Sequence, residues 1–336
     1  MKLFRGNGKL LIGLVISGLF LYLAFRKVEF HKMAEAFSRA NYWYLVPSLA
    51  LLFFSHWLRS IRWHILLAPI QAIAISPLFS SLMIGYMANI FLPAHLGEFL
   101  RAYILGKKRQ VPASAVFGTI VIERIIDVFT LLVLMALSFV VFPFPDWVQK
   151  SGYITFIGAV GLLVLLIVMK KNRETTLRLL TKLLKPFPRR LSGKVDHLFH
   201  TFLDGVVGLK NWRHYTIMVI LSILIWCCYG AIFYVLLLAF NFVALYSLTW
   251  KAPLVLLVIT TISVLVPSSP GYVGTYHYLC QLSLGMFSVP QSEALTFAFV
   301  AHGMNFFPIL LLGLIIAAIE GISISKITQQ AQAETS

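Results

Sequence analysis

Residues 91–103 read FLPAHLGEFLRAY and begin within the last residues of a run, residues 65–94, that contains no charged residue. Proline inside an α-helix kinks or breaks it, because it lacks a backbone N–H and its ring collides with the preceding turn. The stretch therefore predicts a helix that breaks at Pro93 and continues as a short helix carrying charge. The meaning of such a break depends on whether the surrounding chain lies in water or in a membrane.

The composition answers that question. Of the 336 residues, 59% are hydrophobic and only 12% are charged, whereas a soluble domain has about 25% charged residues. Crossing a hydrocarbon core takes roughly 20 helical residues. Uncharged runs near this length occupy residues 10–25, 42–58, 76–92, 128–142, 151–169, 215–240, 252–266 and 294–319. The sequence predicts one all-α, polytopic membrane domain over residues 1–336, with about eight spans.

Residues 170–213 form the longest basic segment, with eleven Lys or Arg against three acidic residues. Such an excess is typical of cytoplasmic loops, so it explains the net charge of +16 without nucleic-acid binding. Apolar residues at helical spacing predict amphipathic helices on anionic headgroups, and a solvated linker is the alternative. Asp196, His200 and Asp204 lie four apart, but basic neighbours favour an ordinary polar face. No metal or cofactor is predicted.

A cytoplasmic 170–213 loop predicts that both termini are cytoplasmic. The basic residues 107–109 then reach the cytoplasm only if the chain turns back at Pro93. The stretch VPSSPGYVGTYHY, residues 266–278, predicts a second break. Each half thus contains a span, a break, a short returning helix and a span, in opposite directions, as in inverted-repeat transporters. Chance placement of prolines near helix ends is the alternative. The residues assigned to the breaks are Pro93, Gly97, Pro267, Pro270, Gly271 and Gly274.

Ionisable residues gather after the first break. Glu98 and Arg101 are three apart and share a helix face, so they can pair. In VIERIIDVF, residues 121–129, Glu123 and Asp127 are four apart with Arg124 between them. A helix beginning at residue 113 puts position 123 about 15 Å along its axis, near the bilayer centre. Ionisable groups at that depth face a cavity or one another. The alternative is a span over residues 128–145 with ERIID as an interfacial cap.

Other polar residues add candidates. Arg59 and Arg62 share a face in HWLRSIRWHILL, where substrate binding and anchoring at the cytoplasmic surface are equally compatible with the sequence. Asn89, His302 and Asn305 are polar points inside helices, where interhelical hydrogen bonding is the commoner role. After the second break, Gly271 and Gly274 would let the backbone approach a headgroup closely, and His277 would join the site from the second short helix. The candidate substrate-binding residues are Glu98, Arg101, Glu123, Arg124, Asp127, Arg59, Arg62, Asn89 and His277.

Three motifs carry a resemblance when taken in order: GYMANIFLPAHLGEFLRAYILGKK, VIERIIDVFTLL and VPSSPGYVGTYHY. Together they resemble the flippase-like membrane domain of the lysylphosphatidylglycerol synthase family over nearly the whole chain. The resemblance implies a domain that moves an aminoacylated phospholipid between leaflets. The synthase activity belongs to a separate soluble domain and is not expected here. Family members often carry Glu shortly after the second Gly-rich turn, and in this sequence His277 stands in that neighbourhood, so the resemblance does not name the lipid.

The functional prediction is a lipid flippase that passes a phospholipid or lipid-linked headgroup through a polar cavity in the inner membrane of a prokaryote. Helix N-termini and arginines would bind the phosphate. The predicted partners are the transported lipid and the anionic headgroups at the basic loop. The sequence is also compatible with a homo-oligomer. One alternative is a membrane-embedded transferase with Glu98 or Asp127 as general base. Another is a non-catalytic partner of a lipid-modifying enzyme. The sequence contains no G-x-x-x-x-G-K-[ST] motif for nucleotide-driven transport.

Overall fold

The computed structural model describes residues 8–92, 95–176, 178, 198–202, 211–265 and 270–322, and all regular structure among them is helical. The helices are α1 (Gly8–Phe25), α2 (Phe30–Arg39), α3 (Leu45–Leu67), α4 (Ile75–Phe91), α5 (Leu96–Arg109), α6 (Ala113–Val141), α7 (Asp146–Lys171), α8 (Trp212–Ala239), α9 (Phe242–Leu245), α10 (Lys251–Leu265), α11 (Thr275–Gly285) and α12 (Gln291–Ile319). The all-α prediction is confirmed. Pro93, Pro267 and most of residues 170–213 lie outside the described residues.

The apolar runs coincide with these helices. Within the described ranges, α6, α7, α8 and α12 are long and apolar enough to cross a membrane, and α1, α4 and α10 contain shorter apolar helices. The remaining predicted run, residues 42–58, falls on α3, which continues past the end of this uncharged run to Leu67. It can do so because the two arginines in its second half are buried against acidic residues. The chain is a polytopic helical membrane protein.

Helix α6 bears on the two interpretations of ERIID. It runs without interruption from Ala113 to Val141, and Glu123 lies inside it with none of its surface exposed. The ERIID motif is therefore buried inside the protein, which favours the buried interpretation over an interfacial cap, and its depth in the bilayer stays a prediction. Pro112 stands at the N-cap of α6, as Pro145 and Pro290 do for α7 and α12. Proline suits this end of a helix because the first turn does not need its missing N–H.

Helices α4 and α5 form a tight antiparallel hairpin around the first break. A Cβ atom on Gly85 would lie 2.9 Å from the Cβ of Arg101, and one on Gly97 would collide with the Gly85 carbonyl oxygen. The side chain of Asn89 accepts a hydrogen bond from the Gly97 N–H at 2.7 Å. A backbone donor that the break leaves without a helical partner is thereby satisfied, as a membrane requires.

The helices of the two halves pack in corresponding pairs. In the first half α4 packs on α5 and α5 on α6, and in the second half α10 packs on α11 and α11 on α12. Helices α3 and α8, which precede these two sets, pack on each other. The third helix of each half crosses over, so that α6 packs on α10 and α12 packs on α4. Such reciprocity is expected of two repeats related by a pseudo-two-fold axis, and the inverted direction of the second repeat stays a prediction.

Contacts at the helix ends agree with the predicted topology. Lys108 forms an ion pair with Glu320, and both residues lie at positions predicted to face the cytoplasm. The hydroxyl of Tyr246 donates to Glu293 at 2.8 Å. Tyr246 directly follows α9 and Glu293 lies in the first turn of α12, and both positions are predicted to face the other side. The described ends thus fall into two sets, while the identity of the cytoplasmic side stays a prediction.

Candidate functional site: a buried ionic cluster beside a cavity

Glu123 on α6 is the centre of a buried network of charges. Its Oε1 lies 3.1 Å from Arg59 Nη1 and 2.8 Å from Arg124 Nη2. Its Oε2 accepts from Arg101 Nη2 at 2.9 Å. Helices α3, α5 and α6 therefore meet at one carboxylate.

Asp127 lies one turn further along α6 and faces the same way. It accepts from Arg59 Nη1 at 2.9 Å and from Arg62 Nη2 at 2.6 Å. Arg62 also donates to the Ser222 hydroxyl of α8 at 3.0 Å. At the other edge of the network, Glu98 lies 3.3 Å from Arg124 Nε. We call the connected side chains the ionic cluster; its members are Arg59, Arg62, Arg101, Arg124, Glu98, Glu123 and Asp127.

The ionic cluster is not electrically balanced. Four guanidinium groups face three carboxylates, which leaves one excess positive charge. Charge inside a membrane protein is expensive unless it is paired or reaches water. Arg124 carries the most exposed side chain of the cluster, with 34% of its surface accessible. An anion arriving beside Arg124 would restore the balance.

The pairing differs from the one expected from sequence. Glu98 and Arg101 share a face of α5 but do not pair, because Glu98 contacts Arg124 and Arg101 contacts Glu123. The guanidinium of Arg101 also stacks 3.5 Å from the ring of Trp63, which is a cation–π contact. Arg59 and Arg62 are not surface anchors: both are buried in the ionic cluster, with 5% and 0% of their surface exposed.

A cavity of about 350 Å³ lies against the ionic cluster. Much of its wall is apolar, so it is less polar than the cavity predicted from sequence. The polar and charged side chains along it include His56, Arg59, Asn89, Glu98, Arg124, Tyr276, His302 and Asn305. The cavity thus combines an apolar wall with one charged region, which suits an amphipathic ligand.

Residues that directly follow the two breaks meet at this cavity. His95, directly before α5, and Tyr272, before α11, both line it, with the Tyr272 hydroxyl 3.4 Å from the His95 ring nitrogens. Gly271 also lines the cavity with a φ of +74°, a conformation that glycine adopts without strain. Its carbonyl oxygen lies 2.7 Å from His302 Nε2 on α12. Backbone from both halves therefore forms the wall.

Two residues expected at the cavity lie elsewhere. His277 does not line it: the ring is buried 4.3 Å from Phe299 and 4.8 Å from His302. Each step along a helix turns the side chain by about 100°, so Tyr276 faces the cavity and His277 faces α12. Gly274 packs on α1, where a Cβ atom would come within 2.5 Å of the Ser17 carbonyl oxygen. The substrate role of His277 and the headgroup role of Gly274 lose their structural basis.

Three cavity residues were missed in the sequence. His56 lines the cavity while 95% buried, and neither ring nitrogen has a hydrogen-bond partner among the described residues. The hydroxyl of Tyr276 is likewise buried without such a partner. Tyr229 accepts from Arg59 Nε at 2.6 Å. A signal for His56 existed, because it lies three residues before Arg59 on the same helix face.

Fold and site together define a class of protein: a helical membrane protein with two broken helices facing a cavity and a buried, positively unbalanced cluster. Comparisons with known proteins give the family. The family described as "Lysylphosphatidylglycerol synthase TM region" matches residues 10–313, and the chain belongs to it. The chain is also 24% identical over 295 residues to a UPF0104 membrane protein of Methanocaldococcus jannaschii, covering 84% of this chain and 86% of that protein. No solved structure matches the chain.

Proposed function

We propose that the protein is a lipid flippase that moves a phospholipid or lipid-linked headgroup between the leaflets of the cytoplasmic membrane of a prokaryote, with both termini in the cytoplasm. The observation that carries the proposal is the excess positive charge of the ionic cluster at a cavity lined by both breaks. A lipid phosphate supplies the missing negative charge. The family membership supports a lipid-related role in the membrane.

The size of the cavity supports a headgroup rather than a whole lipid. About 350 Å³ is at the lower end of volumes that enclose small molecules. The headgroup would therefore travel inside the protein while the acyl chains stay in the surrounding hydrocarbon. Arg124 would bind the phosphate, and the unpartnered groups of His56 and Tyr276 would hydrogen-bond to the headgroup. These contacts would replace part of the hydration that the headgroup loses.

The transferase alternative has weaker support from the site. Asp127 is held between Arg59 and Arg62, at 2.9 and 2.6 Å, so it serves as a charge partner rather than a free base. Glu98, the other proposed base, contacts Arg124 and lines the cavity. Asp127 does not line it. Incubation with a labelled lipid-linked donor separates the alternatives. Transfer of label by the purified protein would favour the enzyme, and neither transfer nor translocation would favour a non-catalytic partner.

The test of the flippase uses Arg124→Gln in proteoliposomes with fluorescent phosphatidylglycerol, where dithionite reports exposure of the label. The substitution leaves three arginines opposite three carboxylates, but it also removes the arginine that contacts Glu98, so some loss of stability is expected. We expect the folded variant to translocate the lipid several-fold more slowly than the parental protein. Translocation at the parental rate by the folded variant would refute the proposed phosphate site.

A matched pair of tyrosines gives a milder version of the same test. Tyr276→Phe removes a buried hydroxyl that has no partner among the described residues, so it should not destabilise the protein. It should still slow translocation, because a contact to the headgroup is lost. Tyr234→Phe makes the same change at an exposed position on α8 and should leave translocation unchanged. Equal rates for the two variants would argue against a headgroup contact at Tyr276.

A further inference from the structure

A second cavity, of about 270 Å³, lies between α6 and α7. Each of its walls is one helix face, because the lining positions recur at spacings of three and four residues and extend over about 10 Å. We call this cavity the α6/α7 groove. Its walls are Val121, Arg124, Ile125 and Val128 on α6, and Thr155, Gly158, Ala159 and Leu162 on α7.

The surface of the α6/α7 groove is entirely apolar. The hydroxyl of Thr155 does not change this, because it donates to the Ser151 carbonyl oxygen at 2.7 Å. A water molecule needs two to four polar partners to occupy a cavity, and this groove offers none. Space is available nonetheless, since a Cβ atom added to Gly158 would meet nothing within 4 Å. The groove therefore suits an apolar occupant.

Arg124 connects the α6/α7 groove to the headgroup cavity, because it lines both. Its guanidinium points towards the headgroup cavity, 3.3 Å from Glu98 and 3.4 Å from the Tyr86 hydroxyl. Since the groove surface is apolar, Arg124 contributes only its aliphatic stem there. Long basic side chains commonly divide in this way, with the stem on apolar surface and the charge in a polar site.

The surroundings of α7 indicate the source of the occupant. Helix α7 is long and apolar enough to cross a membrane, and only 17% of its most apolar window is buried inside the protein. Ile154 and Ile157 on its outer face are 72% and 70% exposed. A groove along such a helix lies at the depth of the hydrocarbon, where the available apolar ligands are the acyl chains of lipids.

We propose that the α6/α7 groove binds one acyl chain of the phospholipid whose phosphate is bound at Arg124 in the headgroup cavity. This inference rests on the proposed function and adds where the lipid tail lies during translocation. Arg124 marks the boundary between the two parts of the ligand, with the anionic phosphate on its guanidinium side and the chain on its stem side. Charge and polarity thus change across one side chain as they change along a phospholipid.

The experiment uses proteoliposomes that contain phosphatidylglycerol with a diazirine on one acyl chain. After irradiation, adducts are mapped by peptide mass spectrometry on the full-length protein. We expect adducts concentrated at Thr155, Gly158, Leu162 and the facing positions of α6. Gly158→Phe should fill the groove and reduce these adducts several-fold. Gly161→Phe is the matched control: Gly161 has equally open space on the same helix but does not line the groove.

Adducts concentrated at Ile154 and Ile157 on the outer face, and unaffected by Gly158→Phe, would overturn the inference, because they would report ordinary surrounding lipid. If Gly158→Phe fails to fold, Val128→Phe narrows the same groove from α6 and should give the same loss. Each of the two proposals can be refuted without refuting the other. Groove adducts without translocation by the parental protein would refute the flippase and leave the chain site. Translocation without groove adducts would refute the chain site and leave the flippase.

Discussion

Glu123 holds the ionic cluster together, because it contacts arginines from α3, α5 and α6 at once. A carboxylate that is fully buried is stable only when such partners replace its hydration. The three arginines depend on Glu123 in turn, since none of them can face hydrocarbon cheaply. Removing one negative charge at this position therefore affects more of the structure than removing any single arginine.

We predict that Glu123→Gln lowers the free energy of unfolding by about 3–5 kcal/mol, the usual cost of breaking a buried ion pair. The excess positive charge of the ionic cluster would rise from one to two. Thermal unfolding of the purified protein in detergent measures the change. Glu35→Gln is the control, because its partner Arg39 has 76% of its side chain exposed and surface pairs contribute little. Similar unfolding temperatures for the two variants would contradict the prediction.

The elements beside the breaks explain how a broken helix is tolerated in a membrane. Asn89 of α4 supplies an acceptor to the Gly97 N–H of α5, and the absence of a side chain at Gly97 allows the two helices to approach closely. The predicted role of Gly97 as part of the break was therefore incomplete. Its hydrogen atom is required by the helix packing, whatever the protein transports.

We predict that Gly97→Ala destabilises the protein by about 1–3 kcal/mol, because the added methyl group would collide with the Gly85 carbonyl oxygen and the Asn89 amide. Gly161→Ala adds the same methyl group where nothing lies within 4 Å, and should be neutral or stabilising by up to about 1 kcal/mol. Unfolding temperatures in detergent distinguish the two. A Gly97→Ala variant as stable as Gly161→Ala would show that the hairpin is looser than described.

At the scale of the whole molecule, the exchange of packing partners between the halves fits the predicted inverted repeat, in which α4 and α10 have opposite orientations. The loops that precede these helices should therefore lie on opposite sides of the membrane. Helix α7, with 26 residues, is about 39 Å long and should likewise place its two ends on opposite sides. Both statements can be tested in one set of single-cysteine variants.

We predict that cysteines introduced at Gln71 and Lys171 react from one side of the membrane, and cysteines at Asp146 and Thr249 from the other. The background should lack the three native cysteines, one of which is exposed. Labelling of sealed vesicles with an impermeant maleimide, before and after permeabilisation, gives the side of each position. Labelling of Gln71 and Thr249 from the same side would refute the inverted arrangement.

The sequence by itself determined the class of the protein, the helices and the burial of the charged motif. Eight uncharged runs and two short returning helices could be recognised because the cost of placing charge in hydrocarbon is a local property of the chain. The same cost predicted that Glu123 and Asp127 are buried. It could not fix the role of Arg59 and Arg62, since both anchoring and burial satisfy the same charge pattern.

Tertiary structure decided which of these residues meet. The contact of Glu98 with Arg124, the burial of Arg59 in the ionic cluster and the turning of His277 away from the cavity depend on how each helix is rotated against its neighbours. Sequence spacing shows which residues share a face, but not which face another helix covers. That choice is made by packing between segments far apart in the chain, because a rotation of about 100° exchanges one residue for the next.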